Sequence, residues 1–152
     1  MDRIDKKLLQ AVQTDCRRPI AELAGEVGLS TSAAHRRLAL LEKSGVIEGY
    51  QARLNGEKLG YLIEFYVEVS LDSQSEAVLA AFEKAVLARP QILECYLMTG
   101  DADYLLKIAA ETTREYERIY RRIVAALPHV ANIRSSLVMK AVKRWRGYPA
   151  RP

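Results

Sequence analysis

An α+β chain in two parts, helical first and sheet-based second, is predicted by two observations. Up to about residue 45 the apolar residues recur at spacings of three and four, as on helices with one buried face. From residue 61 they run instead in short stretches rich in Ile, Phe, Tyr and Val, separated by two further helical segments. Residues 55–60, where Gly56 and Gly60 flank Lys58, read as the linker between them.

The first element spans residues 2–15 and carries Ile4, Leu8, Leu9 and Val12 on one face, which makes it a roof for the next two helices. Residues 19–50 then read as a short helix, a tight turn and a second helix. Ile20, Leu23, Ala24 and Val27 give the short helix a buried stripe, Gly28 makes the turn, and Leu29 seals its corner. Ser30 caps the second helix, which buries Ala34, Leu38 and Leu41. Ser44-Gly45 closes it, and residues 46–55 alternate like a strand pair turning at Gly49, a small wing. Residues 1–54 are therefore expected to form a winged helix-turn-helix.

After the linker the pattern runs as a strand (62–71), a helix (75–88, with Val78, Leu79, Phe82 and Val86 on one face) and a strand (92–99). A turn at Gly100-Asp101-Ala102-Asp103 follows. A strand (104–110), a helix (113–126, with Tyr116, Ile119, Tyr120, Ile123 and Leu127 inward) and a last strand (133–142) complete it. The order β-α-β-β-α-β is that of a split βαβ, or ferredoxin-like, sandwich over residues 61–142, with a basic tail at 143–152. Strand residues 63–69 are read as apolar on both sides. A sheet with helices on one face then leaves the other uncovered, and a second copy packed sheet to sheet would cover it.

Burying the two helical stripes against each other turns Thr31, Ser32, His35, Arg36, Ala39 and Lys43 toward solvent, on a face that suits a major groove. Hydroxyl residues in the first turn let backbone amides approach phosphates, and the Arg and His side chains beyond them reach base edges or backbone. The candidate contacts to double-stranded DNA are Arg18, Ser30, Thr31, Ser32, His35, Arg36 and Arg37. Helical hairpins with a basic outer face also occur in proteins that never touch nucleic acid, and His35 reads equally as an exposed histidine without a partner. A symmetric dimer would present two such helices to a palindromic target, about one helical turn or a multiple apart.

Charge distribution sharpens this more than the net value of +4. Residues 1–60 hold ten Lys/Arg against eight Asp/Glu, residues 61–137 eight against eleven, and residues 138–152 five against none. An acidic middle does not lie along phosphates, so DNA contact is assigned to the first module, with the tail as a further candidate. Cys16 and Cys95 fall in different modules, which argues against a disulfide framework, and with only His35 and His129 there is no zinc spacing. No apolar run approaches the roughly 20 residues of a membrane span, and the opening Met-Asp-Arg-Ile-Asp-Lys-Lys is too polar for an export signal, so the cytoplasm is the expected compartment.

Several stretches together carry a family resemblance. They are Asp2-Arg3-Ile4-Asp5, Gly28-Leu29-Ser30, Leu41-Glu42 through Gly45-Val46-Ile47-Glu48-Gly49-Tyr50, the run from Glu94 to Lys107, Leu127-Pro128 and Val138-Met139. With these the chain resembles the Lrp/AsnC, or feast/famine, transcriptional regulators over nearly its whole length. The resemblance implies a one-component regulator whose second domain dimerises, assembles further, often to octamers, and senses a small molecule, usually an amino acid. It implies an effector site between dimers, at Met98, Thr99, Gly100, Asp101 and Asp103, with Ala125 contributed by a neighbouring subunit, and no cofactor. A glycine turn exposes amides to a carboxylate, and an aspartate beside it holds an ammonium.

Departures from the family pattern are Ala34, where many relatives carry valine, and Ala39-Leu40, where they tend to be basic, so base preference is not carried over. Ala125 is small where some relatives are polar, which suits a larger or more apolar effector. Asp101 and Asp103 also have the spacing of an acid-base pair, but no histidine or nucleophile motif accompanies them. Tyr116 and Tyr120 read as core and interface, and Trp145 as a tail residue that either anchors to a neighbour or packs loosely. Two rivals share the scaffold. A siroheme decarboxylase-like enzyme would lose the basic helix face and enrich the sheet domain in His and Arg, whereas Arg36 and Arg37 are kept and only His129 lies there. An architectural DNA-binding protein would take no effector.

Overall fold

The computed structural model describes residues 1–150. They divide into two compact units: Met1–Arg53 together with the segment that begins at Lys143, and Leu54–Val142. The basic tail thus groups with the helical unit.

In the first unit α1 (Arg3–Thr14) starts at a capping box, in which the Asp2 carboxylate accepts from the Asp5 amide and the Asp5 carboxylate from the Asp2 amide, both at 2.8 Å. Next, α2 (Ile20–Val27) ends at Gly28, whose amide bonds back to the last turn. The Leu29 amide reaches the Ala24 carbonyl at 2.9 Å, which sets the corner before α3 (Thr31–Lys43). Leu8, Ala11, Val12, Leu23 and Leu38 form the core of this unit, with Ile20, Val27 and Ile47 packed against it. Leu8, Val12, Ile20, Leu23, Val27 and Leu38 are expected from the apolar spacing, whereas Ala11 takes the place expected for Ile4 and Leu9.

No wing ladder forms after α3. Residues 46–55, expected as a strand pair, hold no strand. The Val46 and Ile47 amides both turn back to the Leu41 carbonyl, at 3.0 and 3.2 Å, and the Tyr50 phenol donates to Glu42 at 2.7 Å. Gly49 is absent from the positive-φ glycines, so the tight reversal a two-residue hairpin needs is missing. The segment is fastened to the end of α3 instead of pairing with itself. Burial and the Glu42 carboxylate together push the Tyr50 phenol up to about 12.

The second unit is a four-stranded antiparallel sheet in the order β2-β3-β1-β4, formed by β1 (Ile63–Leu71), β2 (Ile92–Leu97), β3 (Tyr104–Ala110) and β4 (Val130–Leu137). Helices α4 (Glu76–Leu87) and α5 (Thr113–Ile119) supply Phe82, Val86 and Ile119 to a core completed by Phe65, Val67, Val69, Leu106 and Ile108. The Phe65 and Tyr116 rings stack with centroids 3.5 Å apart, and Phe82 lies 4.5 Å from the buried Tyr104. Tyr116 packs against the core and meets the Ser135 hydroxyl, while Tyr120, 6.4 Å from it and past the end of α5, lines a surface hollow.

Two elements depart from the expected bounds by more than two residues. Past Ile119 the helix widens into a single π turn, Tyr120–Val124, closed by the Ala125 amide on the Tyr120 carbonyl at 2.9 Å. The extra residue keeps Ile119, Val124 and Leu127 all buried, a spacing that a regular helix does not give. Strand β4 begins three residues before the expected start and ends five before the expected end. Its pairing with β1 ends at Phe65↔Leu137 and the Val138 amide on the Glu64 carbonyl.

The sheet's open face corrects the expectation of apolar residues on both sides of β1. Phe65, Val67 and Val69 point into the core, but Glu64, Tyr66, Glu68 and Ser70 occupy the other side, because side chains alternate along a strand. Register places Glu68 opposite Arg134, where they form an ion pair at 3.4 Å, and Lys107 binds Glu94 at 3.1 Å. Burial opposes ionisation of Glu94, but hydrogen bonds from Tyr96 and Lys107 outweigh it and hold the carboxyl below its ordinary range. The open face is therefore patterned with charge.

Candidate functional site

On α3 the cap Ser30 accepts from the Ala33 amide at 3.3 Å, and its hydroxyl lies 3.2 Å from that of Ser32. Thr31, Ser32, His35, Arg36, Ala39, Leu40 and Lys43 are all exposed, whereas Ala34, Leu38 and Leu41 are buried. Arg36 forms no ion pair among the described residues. Its charge is available to an outside anion.

Arg37 and Arg18 are differently employed. Arg37 lies one step around the helix and donates to Asp2 and Asp5, each at 2.7 Å, which ties α3 to the N-terminus of α1. Hydrogen bonds from the Asp5 amide and from Arg37 hold the Asp2 carboxyl below its ordinary value. Arg18 reaches Glu26 at 2.7 Å and Glu22 at 3.6 Å, bracing the start of α2. Both guanidinium groups are engaged inside the unit, a role that the sequence reading, which grouped them with the DNA face, did not foresee. Glu22 stands at the i,i+4 spacing from Arg18, but Glu26 lies eight residues away and Asp5 and Asp2 lie thirty-two and thirty-five from Arg37, beyond the reach of a periodicity argument.

In the sheet unit, Met98, Thr99, Asp101 and Ala102 line a cavity of about 410 Å³ together with Glu68, Ser70, Leu105, Asn132 and Arg134. Gly100 holds the turn at φ 124, a conformation that residues with a Cβ rarely adopt. Asp103 is spent on structure: its carboxylate accepts from the Leu71 amide and from Gln74, both at 2.7 Å. Of the two expected carboxylates, only Asp101 lines the cavity. Ala125 lines a different, shallower hollow of about 280 Å³ with Tyr120, Val130, Ala131, Asn132 and Ile133. Within one chain Ala125 and the turn are not brought together, although Asn132 touches both cavities.

Glu68, Ser70, Asn132 and Arg134 were missed by the sequence reading. The period-two run Glu64, Tyr66, Glu68, Ser70 marks an open sheet face. Only the register, with Glu68 opposite Arg134 and Ser70 opposite Asn132, brings β1 and β4 side chains to the turn. The described residues contain no group of three or more His, Cys, Asp or Glu able to hold a metal ion, and no helix long and apolar enough to cross a membrane.

A helix-turn-helix followed by an α+β sandwich is an arrangement found in a class of transcriptional regulators. Two family descriptions match the chain: the AsnC-type helix-turn-helix domain over residues 1–42 and the Lrp/AsnC ligand binding domain over residues 64–148. The chain belongs to the Lrp/AsnC family of transcriptional regulators. It is 39% identical to the Bkd operon transcriptional regulator of Pseudomonas aeruginosa over 93% of both chains. It is 38% identical to the proline dehydrogenase transcriptional activator of Rhodobacter capsulatus, covering 93% of this chain and 92% of the relative.

Among solved structures it resembles an AsnC family regulator from Agrobacterium tumefaciens, with a TM-score of 0.93, 33% identity and coverage of 98% and 97%. It also resembles a transcriptional regulator from Neisseria meningitidis in complex with L-Met, with a TM-score of 0.90, 29% identity and coverage of 95% and 93%. Its relatives carry the names of regulators, and the chain stands with them, not with enzymes.

Proposed function

We propose that this regulator binds duplex DNA through the outer face of α3 and that an amino acid, held at the Gly100 turn, modulates that binding. The observation that carries the DNA reading is the division of labour along α3: Ser30, Thr31, Ser32, His35 and Arg36 face outward, while Arg37 and the more distant Arg18 brace the scaffold. Hydroxyls at the helix start meet phosphates together with the exposed amides, and Arg36 reaches base edges or backbone from the next turn. Two copies related by a two-fold axis would read a palindromic target, and higher assembly up to octamers would follow from further copies of the sheet unit.

The effector reading rests on the chemistry of the larger cavity. Arg134 and the turn amides suit a carboxylate, and Asp101 and Glu68 suit an ammonium, so a zwitterion finds both partners there. The L-Met complex of the Neisseria meningitidis neighbour lends support to an amino acid as the ligand class.

Gel retardation on sheared genomic fragments at low salt, with and without each amino acid, tests both parts. Retention of selected fragments, altered by one or a few amino acids, is the expected result. A chain that retards no fragment defeats the DNA reading. Retardation that no amino acid alters, with no thermal shift from any of them, defeats the effector reading and leaves an architectural protein.

A further inference from the structure

Counted from the sequence, residues 1–53 hold nine Lys/Arg against seven Asp/Glu, a thin surplus for a phosphate-binding surface. The tail adds Lys143, Arg144 and Arg146 to the same compact unit, without any acidic residue. The segment that carries these cations is fastened to α1 beyond them, at Tyr148 and Ala150. Gln13 donates through Nε2 to the Tyr148 carbonyl at 2.8 Å, and Gln10 accepts from the Ala150 amide at 3.4 Å.

Gly147 fixes how closely the tail can lie. Its φ is 106, and a Cβ there would fall 1.8 Å from Gln13 Oε1. Because the same amide group donates to Tyr148, Gln13 cannot swing aside without losing that bond. Trp145 and Tyr148 meet edge to face with centroids 5.8 Å apart and stiffen the segment further.

Docked in this way, the tail extends an existing basic stripe. Arg3, Lys6, Gln10 and Gln13 follow one another at spacings of three and four and so share one face of α1, cationic at its start and amide-bearing where the tail binds. Lys143 and Arg146 are exposed and form no ion pair among the described residues. We propose that the docked C-terminal tail and α1 together form a second contact with the DNA backbone, separate from α3, in which Lys143 and Arg146 meet phosphates. This rests on the DNA reading given above, and deepens it by naming where further backbone affinity comes from. Such a contact raises affinity without conferring base preference, since phosphates are the same at every sequence.

The test uses the full-length chain and a random-sequence duplex of fixed length, with affinity measured by fluorescence anisotropy over a series of salt concentrations. The double variant Lys143→Gln/Arg146→Gln is expected to lower the slope of log K against log salt by about two per protomer, since each phosphate contact contributes about 0.9. Gly147→Ala keeps every charge but displaces the tail, and is expected to lower the slope likewise. Light scattering should find the same assembly state in all three proteins.

An unchanged slope in the double variant overturns the proposal. So does a fall in slope accompanied by a change of assembly, which would make the tail an oligomerisation element. A fall in the double variant with none in Gly147→Ala overturns the docked placement. Failure of the unaltered chain to bind the duplex would instead remove the DNA reading beneath it, a result distinguishable from all of these.

Discussion

In the helical unit the ion pairs tie one element to another, Arg37 to Asp2 and Asp5 and Arg18 to Glu22 and Glu26, and the outer face of α3 is left without them. In the sheet unit the pairs Glu68–Arg134 and Glu94–Lys107 lie on the open face itself. The difference bears on what each surface can accept. A polyanion approaching Arg36 has no internal partner to displace, so association there is governed by long-range attraction and salt. A ligand entering beside Glu68 and Arg134 competes with a bond already made, which favours a molecule carrying both charges over one carrying either.

The largest expected effect breaks the comparison at its base. Leu8 is fully buried at the centre of a core of few side chains, so Leu8→Ala should cost about 2–5 kcal/mol. Calorimetry should show the helical unit melting at a lower temperature and anisotropy should show DNA affinity lost, while the sheet unit keeps its transition. A single undivided transition shifted as a whole would mean that the units do not unfold separately.

Arg36 and Arg37 sharpen it next. Arg36→Ala is expected to weaken DNA binding and reduce the salt slope by about one, with the melting temperature unchanged. Arg37→Ala is expected to lower the melting temperature of the helical unit by uncoupling α3 from α1, with a smaller effect on the slope. Equal slopes in the two variants would erase the division of labour along the helix.

In the sheet unit, Gly100→Val forces a β-branched residue into φ 124 and should distort the turn, a strain of about 1–3 kcal/mol held locally. Amino-acid response in gel retardation should vanish while ligand-free DNA affinity stays as in the unaltered chain. An intact response would place the effector elsewhere.

The smallest effect concerns acid. Asp2 has a folded pKa below its ordinary 3.8, chiefly from the Asp5 amide and then Arg37, so its contribution is fully present above 3.8 and is lost as pH falls through the lower, folded value. Carbon-detected NMR should titrate Asp2 with a midpoint below 3.8, moving toward it in Arg37→Ala. An unmoved midpoint would mean the guanidinium does not stabilise the ionised carboxyl.

Helical spacing, the Ser30 cap, the Gly28 turn and the β-α-β-β-α-β order were all legible in the sequence, because each depends on residues within a turn or two of one another. The exposed hydroxyls and Arg36 followed from the same periodicity, as did the turn around Gly100. Local pattern misled where an alternative partner existed. Residues 46–55 alternate like a hairpin, yet their amides and Tyr50 found the end of α3 first. The period of the helix after Thr113 gave no sign of the π turn that buries Val124.

By itself, then, the sequence determined which segments are helical, which face α2, α3 and α4 bury, and the family to which the chain belongs. Tertiary structure alone decided that Arg37 serves Asp2 and Asp5, that Asp103 serves Leu71 and Gln74, that Glu68 and Arg134 join the cavity, and that the tail returns to Gln10 and Gln13. Periodicity specifies direction relative to a local axis. Pairing across tens of residues depends on strand register and on how the helices pack, which no local axis contains.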